Sequence, residues 1–198
     1  MINAARLRRD VVVIGGSAGA IESLMELLGK LPTTFETAMA AVIHLNPFRE
    51  SRLPAVLGRV ATIPVLAAAH GAPFEPRRLH VAVADFHLLV GPTLSLTRSP
   101  REHFHRPAID PLFRSAAASF GPRVVGVLLS GATTDGVTGA VAIKAAGGLV
   151  LVHDPADAPH PRLPATALVR DGVDAAASID ELAQLLSRLA RAEPIEDR

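Results

Sequence analysis

Cysteine, tryptophan and tyrosine are absent from this 198-residue sequence. Without cysteine there can be no disulfide staples, thiol nucleophiles or thiolate-ligated metals. A surplus of one charge is also missing: 20 Lys and Arg face 19 Asp and Glu, for a formal net charge of +1. No basic stripe interleaved with aromatics stands out, so nucleic acid is not an expected partner. Met1 to Asp10 leads into only four apolar residues, Val11 to Ile14, too few for a signal-peptide core or a membrane span. The expectation is a cytoplasmic protein with no membrane insertion. What is abundant is apolar surface, at 49% of residues, in a chain of the length of one ordinary domain.

Val11-Val12-Val13-Ile14 is a β-branched run suited to burial on both faces of a sheet, and Gly15-Gly16-Ser17-Ala18-Gly19 follows at once. Ile21, Leu24, Met25, Leu27 and Leu28 then recur at helical spacing, with Gly29 placed to stop the helix. Ala38 to Ile43 reads as a second strand ending at His44 and followed by Asn46-Pro47; Ser51 to Leu57 reads as a short helix, and Ile63 to Leu66 as another apolar stretch. Three short runs, Leu79 to Val83, His87 to Val90 and Leu94 to Thr97, predict an antiparallel meander. Asp110 is placed as an N-cap and Pro111 as the first helical residue of a helix running through Phe120 to Gly121. Val124 to Leu129 predicts a strand, Val137 to Ala146 a helix closed by Gly147-Gly148, and Leu149 to Val152 a strand. Asp154 to Pro164 carries four prolines and reads as a loop; Ile179 to Leu189 is an amphipathic closing helix and Ala192 to Arg198 a solvated tail. This alternation predicts an α/β fold with a mainly parallel, doubly wound sheet, whose ligands collect at the carboxyl ends of the strands.

Three of those ends carry residues useful for acyl transfer: Ser17, His44 and Asp135. Gly15 to Gly19 satisfies G-x-S-x-G, in which glycines permit a sharp strand-to-helix turn that exposes the serine and brings helix N–H groups near a developing oxyanion. A serine hydroxyl needs a base to take its proton, and an imidazole base works best when a carboxylate fixes its tautomer. From the residues alone other readings stay open. Ser17 fits a glycine-rich phosphate turn, although neither the G-x-G-x-x-G spacing nor a following lysine is present. Asp135 fits a cap for the helix beginning at Gly136. His103 and His105 with Asp110, or His153, Asp154, Asp157 and His160, could ligate a metal, but neither set has a closed zinc-ligand pattern.

Val13-Ile14-Gly15-Gly16-Ser17-Ala18-Gly19 resembles the opening of the CheB-type protein-glutamate methylesterase catalytic domain. Val42-Ile43-His44 is similar to the segment ending in that family's catalytic histidine, Arg106 to Phe113 to its helix-opening signature, and Leu129-Ser130-Gly131 through Asp135-Gly136 to the segment carrying its aspartate. The resemblance spans nearly the whole chain. It implies a three-layer αβα sandwich with an antiparallel hairpin extension, and a catalytic triad in the order Ser17, His44, Asp135. In α/β-hydrolases the histidine comes last, which would make His153 or His160 the base; the family pattern assigns His44. The implied activity is hydrolysis of glutamyl methyl esters, with receptor-glutamine deamidation in some members, and without metal or organic cofactor. The implied partners are methylated chemoreceptor cytoplasmic helices and a signalling partner that supplies regulation. The expected layout is a lead over 1–10, the catalytic domain over 11–190, a tail over 191–198 and no receiver domain. Ala20, Ala132 and Thr133 depart from common family residues. Two alternatives follow: a catalytically weak adaptor of a signalling system, or an esterase of the same fold acting on a small-molecule ester.

Overall fold

Val12 and Ile14 pack into one apolar cluster and Val11 and Val13 into another, and all four are buried. The first strand therefore needs apolar cover on both faces, which only a sheet between two helical layers provides. The computed structural model describes residues 7–44, 51–170 and 172–193 and has that arrangement.

Its strands are β1 (Val11–Gly16), β2 (Ala38–Ile43), β3 (Val65–Ala67), β4 (Arg78–Val81), β5 (His87–Val90), β6 (Leu94–Thr97), β7 (Val124–Leu128), β8 (Leu149–His153) and β9 (Ala175–Ala177). Seven of them form one sheet in the order β3-β4-β2-β1-β7-β8-β9, with every pairing parallel. β5 and β6 make a separate antiparallel hairpin. The helices are α1 (Ala20–Lys30), α2 (Leu53–Leu57), α3 (Ile109–Phe120), α4 (Val137–Ala145), α5 (Arg162–Val169) and α6 (Ile179–Ala190). α1, α2 and α6 bury their apolar stripes against one face of the sheet; α3, α4 and α5 cover the other. From β1 the chain moves to β2 on one side, and it later returns to β7 on the other, so the crevice between those directions opens at the carboxyl end of β1.

The α/β architecture and the hairpin extension agree with the sequence reading, while several local expectations are corrected. The run at Leu79 belongs to the parallel sheet, between β2 and β3, and is not the first strand of a meander. Leu79, His80 and Val81 are all buried, which the interior of a two-layer-covered sheet allows and a hairpin edge does not. α1 runs past Gly29 to Lys30; Leu31 turns extended before Pro32, where proline crowds out the helical conformation. The proline-rich segment gives way to α5 at Arg162, with Pro164 in the first turn, where its missing N–H has no intrahelical partner to lose. Asn46-Pro47 and most of the predicted tail, 194–198, lie outside the described residues. No helix among the described residues is long and apolar enough to cross a membrane.

Candidate active site

Ser17 follows β1 directly and is separated from α1 by Ala18 and Gly19. Gly19 sits at φ 72°, in the left-handed region where glycine carries no side-chain penalty, and this makes the turn sharp. At Gly15 the constraint is space: a β-carbon there would come within 2.4 Å of Ile109, at the start of α3. The turn is tied to the neighbouring strand exit, since the Ser17 N–H donates to the Ser130 carbonyl (3.0 Å) and the Ser130 hydroxyl donates to the Ala18 carbonyl (2.7 Å). The N-cap residue of α1 is Gly19, which has no side chain to offer its first-turn N–H groups. The Ala20 N–H donates to the Ser17 carbonyl (3.1 Å), which closes the turn onto the start of α1, and the positive end of that helix lies at the turn that carries Ser17.

β1 and β2 run parallel with Gly16 opposite Ile43, and the His44 N–H donates to the Gly16 carbonyl at 3.1 Å. One step beyond that pair, Ser17 and His44 stand side by side at adjacent strand ends. His44 Nε2 lies 2.7 Å from Asp135 Oδ2, with the side chains 5% and 0% exposed. Nδ1 of the same ring is buried and has no hydrogen-bond partner among the described residues.

Asp135 holds more than His44. Its carboxylate also accepts the N–H groups of Ile109 (2.7 Å) and Asp110 (3.0 Å), the first two residues of α3. Burial works against ionisation, but the His44 bond and the two N–H donors more than offset it and keep the carboxyl below its ordinary pKa. An ionised Asp135 makes Nε2 the protonated nitrogen, which leaves Nδ1 as the free base.

Asp110 returns the arrangement. It is the second residue of α3, not its N-cap, and its Oδ1 accepts the N–H groups of Gly136 (3.0 Å) and Gly139 (2.6 Å) at the start of α4. Each helix is thus capped by the aspartate leading the other. Asp135 does serve as a cap, but for α3 rather than for the helix that follows it. The sequence signal for capping was present in both residues; spacing along the chain assigns each to its own helix, and only packing reveals the exchange.

His103 and His105 enter through a two-residue turn closed by paired backbone bonds between Glu102 and His105 (3.1 and 2.8 Å). His105 stacks on the His44 ring at 3.7 Å between centroids and 11° between planes. Burial, and then the neighbouring His44, push its pKa down. His103 Nε2 meets Asp110 Oδ2 at 3.0 Å. Burial, its largest influence, raises the Asp110 pKa. Neither metal cluster read from the sequence assembles as proposed. Among the described residues the set close enough to share an ion is His103, Asp110 and Asp135, whose carboxylate oxygens already accept N–H donors or a histidine. His153 is buried with its pKa lowered by burial, and His160 lies against Gly19; the ring bonded to Asp135 is that of His44.

The CheB methylesterase family model matches residues 12–186. The chain belongs to the CheB methylesterase family. A crystal structure of the Thermotoga maritima CheB methylesterase catalytic domain superimposes with a TM-score of 0.88 at 26% identity, covering 92% of this chain and 100% of that one. A Leptospira interrogans protein described as a putative protein-glutamate methylesterase/protein-glutamine glutaminase is 32% identical over 91% of this chain and 94% of its own length. A Nocardioides protein-glutamate methylesterase/protein-glutamine glutaminase is 36% identical over 93% of this chain but only 52% of its own length. The family thus includes relatives of which this chain covers most of the length and others of which it spans about half.

Proposed function

We propose that this chain is a serine hydrolase that removes methyl esters from glutamate side chains of chemoreceptors, with Ser17 as nucleophile, His44 as general base and acid, and Asp135 as the carboxylate that orients His44. The carrying observation is the 2.7 Å contact between His44 Nε2 and Asp135, beside Ser17 and with Nδ1 unengaged. His44 Nδ1 accepts the Ser17 proton as Oγ attacks the ester carbonyl. The developing oxyanion is stabilised by backbone N–H groups of the turn between β1 and α1, at the positive end of that helix. The imidazolium, held by ionised Asp135, then gives its proton to the departing methoxide, and methanol leaves an acyl-Ser17. His44 next deprotonates a water that attacks this ester, and return of the proton to Ser17 frees the glutamate carboxylate. The same steps on a glutamine release ammonia, which accounts for the paired activities in the relatives' names. None of these steps calls for a metal or an organic cofactor.

The test is methanol release from a methyl-esterified chemoreceptor cytoplasmic fragment. Wild type should release methanol, and Ser17→Ala, folded as judged by circular dichroism, should lose at least about 10³-fold, as removal of a triad nucleophile does. Equal release by both proteins would remove Ser17 from the mechanism. Turnover of generic aryl esters without receptor demethylation would assign the site to small-molecule esters instead.

A further inference from the structure

Between the two histidines that reach the site, Phe104 points the other way. Its residue is 93% exposed, and both central residues of the turn have positive φ, 49° at His103 and 67° at Phe104. That geometry suits Asn-Gly, and a β-carbon is disfavoured there. The turn is held by what its neighbours grip, His103 on Asp110 and His105 on His44, so Phe104 is displayed at a fixed place beside the candidate imidazole.

The chain entering this turn is cationic. Arg98, Arg101 and Arg106 all approach Asp85, at 3.6, 3.6 and 2.6 Å, so three guanidiniums share one carboxylate and two positive charges are uncompensated within that cluster. Arg106 is largely buried and also donates to the carbonyls of Arg98 and Ser99, which anchors the segment. Arg98 and Arg101 are the exposed members, at 64% and 40% of their side chains. Arg98 lies over the Phe86 ring at 4.5 Å, and the charge of Arg101 reaches His105. An isolated exposed aromatic fixed next to a rim with excess positive charge is a docking surface for a chain that is acidic and carries an apolar side chain.

Resting on the esterase reading above, we infer that Phe104, Arg98 and Arg101 dock the protein substrate: an acidic segment whose unesterified glutamates meet the guanidiniums while an apolar side chain packs on Phe104. The chemistry matches, because every ester removed leaves a carboxylate and a segment with several such glutamates is anionic. On this reading, hydrolysis of a small ester does not depend on this surface.

The experiment compares kcat/KM for a methyl-esterified receptor cytoplasmic fragment with kcat/KM for p-nitrophenyl acetate, in wild type, Phe104→Asn, which retains a residue tolerant of positive φ, and Arg98→Gln. For the receptor fragment, Phe104→Asn should fall at least about tenfold, the scale of an interface anchor. Arg98→Gln should fall about threefold and flatten the salt dependence, as loss of a rim charge does. Turnover of p-nitrophenyl acetate should stay within about twofold in both variants. Unchanged receptor-fragment kinetics in both variants would overturn the docking role, as would parallel loss on both esters, which would place the defect in the chemistry. Wild-type hydrolysis of neither ester would overturn the esterase reading and the docking role together.

Discussion

Asp110 and Asp135 are the same residue type, both buried and each capping a helix, yet their carboxyls are pushed in opposite directions. Asp135 gains His44 and two N–H donors and sits below the ordinary carboxylate value of about 3.9; burial dominates at Asp110 and raises it. Stability from Asp135 is present above the unfolded pKa and is lost as pH falls through the lower folded one, whereas that from Asp110 is present below the unfolded pKa and is lost as pH rises through the higher folded one. Asp135→Asn should therefore be destabilising at pH 7, with the deficit shrinking towards pH 3, and should lower ester hydrolysis by about 10⁴-fold through the wrong imidazole tautomer. Asp110→Asn keeps an acceptor for the α4 N–H groups and should lie within about 1 kcal/mol of wild type at pH 7. Urea unfolding at both pH values checks the pair; an Asp110→Asn deficit at pH 7 as large as that of Asp135→Asn would contradict the opposite directions of the two shifts.

Among the helices, the contact that matters for the site is where α3 meets α4. A β-carbon at Gly139 would come within 2.5 Å of the Phe113 β-carbon and 3.1 Å of Asp110 Oδ1. Gly139→Ala should thus separate the two helix starts, cost about 1–3 kcal/mol as overpacking does, and lower hydrolysis with it because Asp135 is seated on α3. α6 offers the control. Ser178 and Glu181 form a capping box at its start, on the opposite face of the sheet. Ser178→Ala should cost about 1 kcal/mol and leave hydrolysis at wild-type rate. Urea midpoints and initial rates separate the two cases, and a rate loss in Ser178→Ala would show that the sheet transmits changes between its faces. Element by element, the sequence was readable where periodicity was long, as in α1, α3 and α6. It was unreadable at β9, three alanines with little strand preference of their own that pair only because β8 offers an edge. It was misread at β4, whose direction depends on the path of the preceding chain.

Over the whole molecule, residues 17, 44 and 135 come together because three parallel strands, β2, β1 and β7, end at one crevice. Nothing local holds them there. Heating should therefore abolish ester hydrolysis and the helical circular dichroism signal in one coincident transition; activity lost at distinctly lower temperature would mean that the crevice opens before the sheet melts. The sequence by itself determined the central strands β1, β2, β7 and β8, the sharp turn at Ser17 and the residue types at the strand ends, because β-branched runs, glycine spacing and helical periodicity act over a few neighbours. Only the tertiary structure decided that Asp135 caps α3 while Asp110 caps α4, that His105 covers His44, and that Phe104 faces solvent. Those are contacts between residues whose separation along the chain carries no signal, and they exist because buried N–H groups, carboxylates and rings must find partners wherever packing brings them.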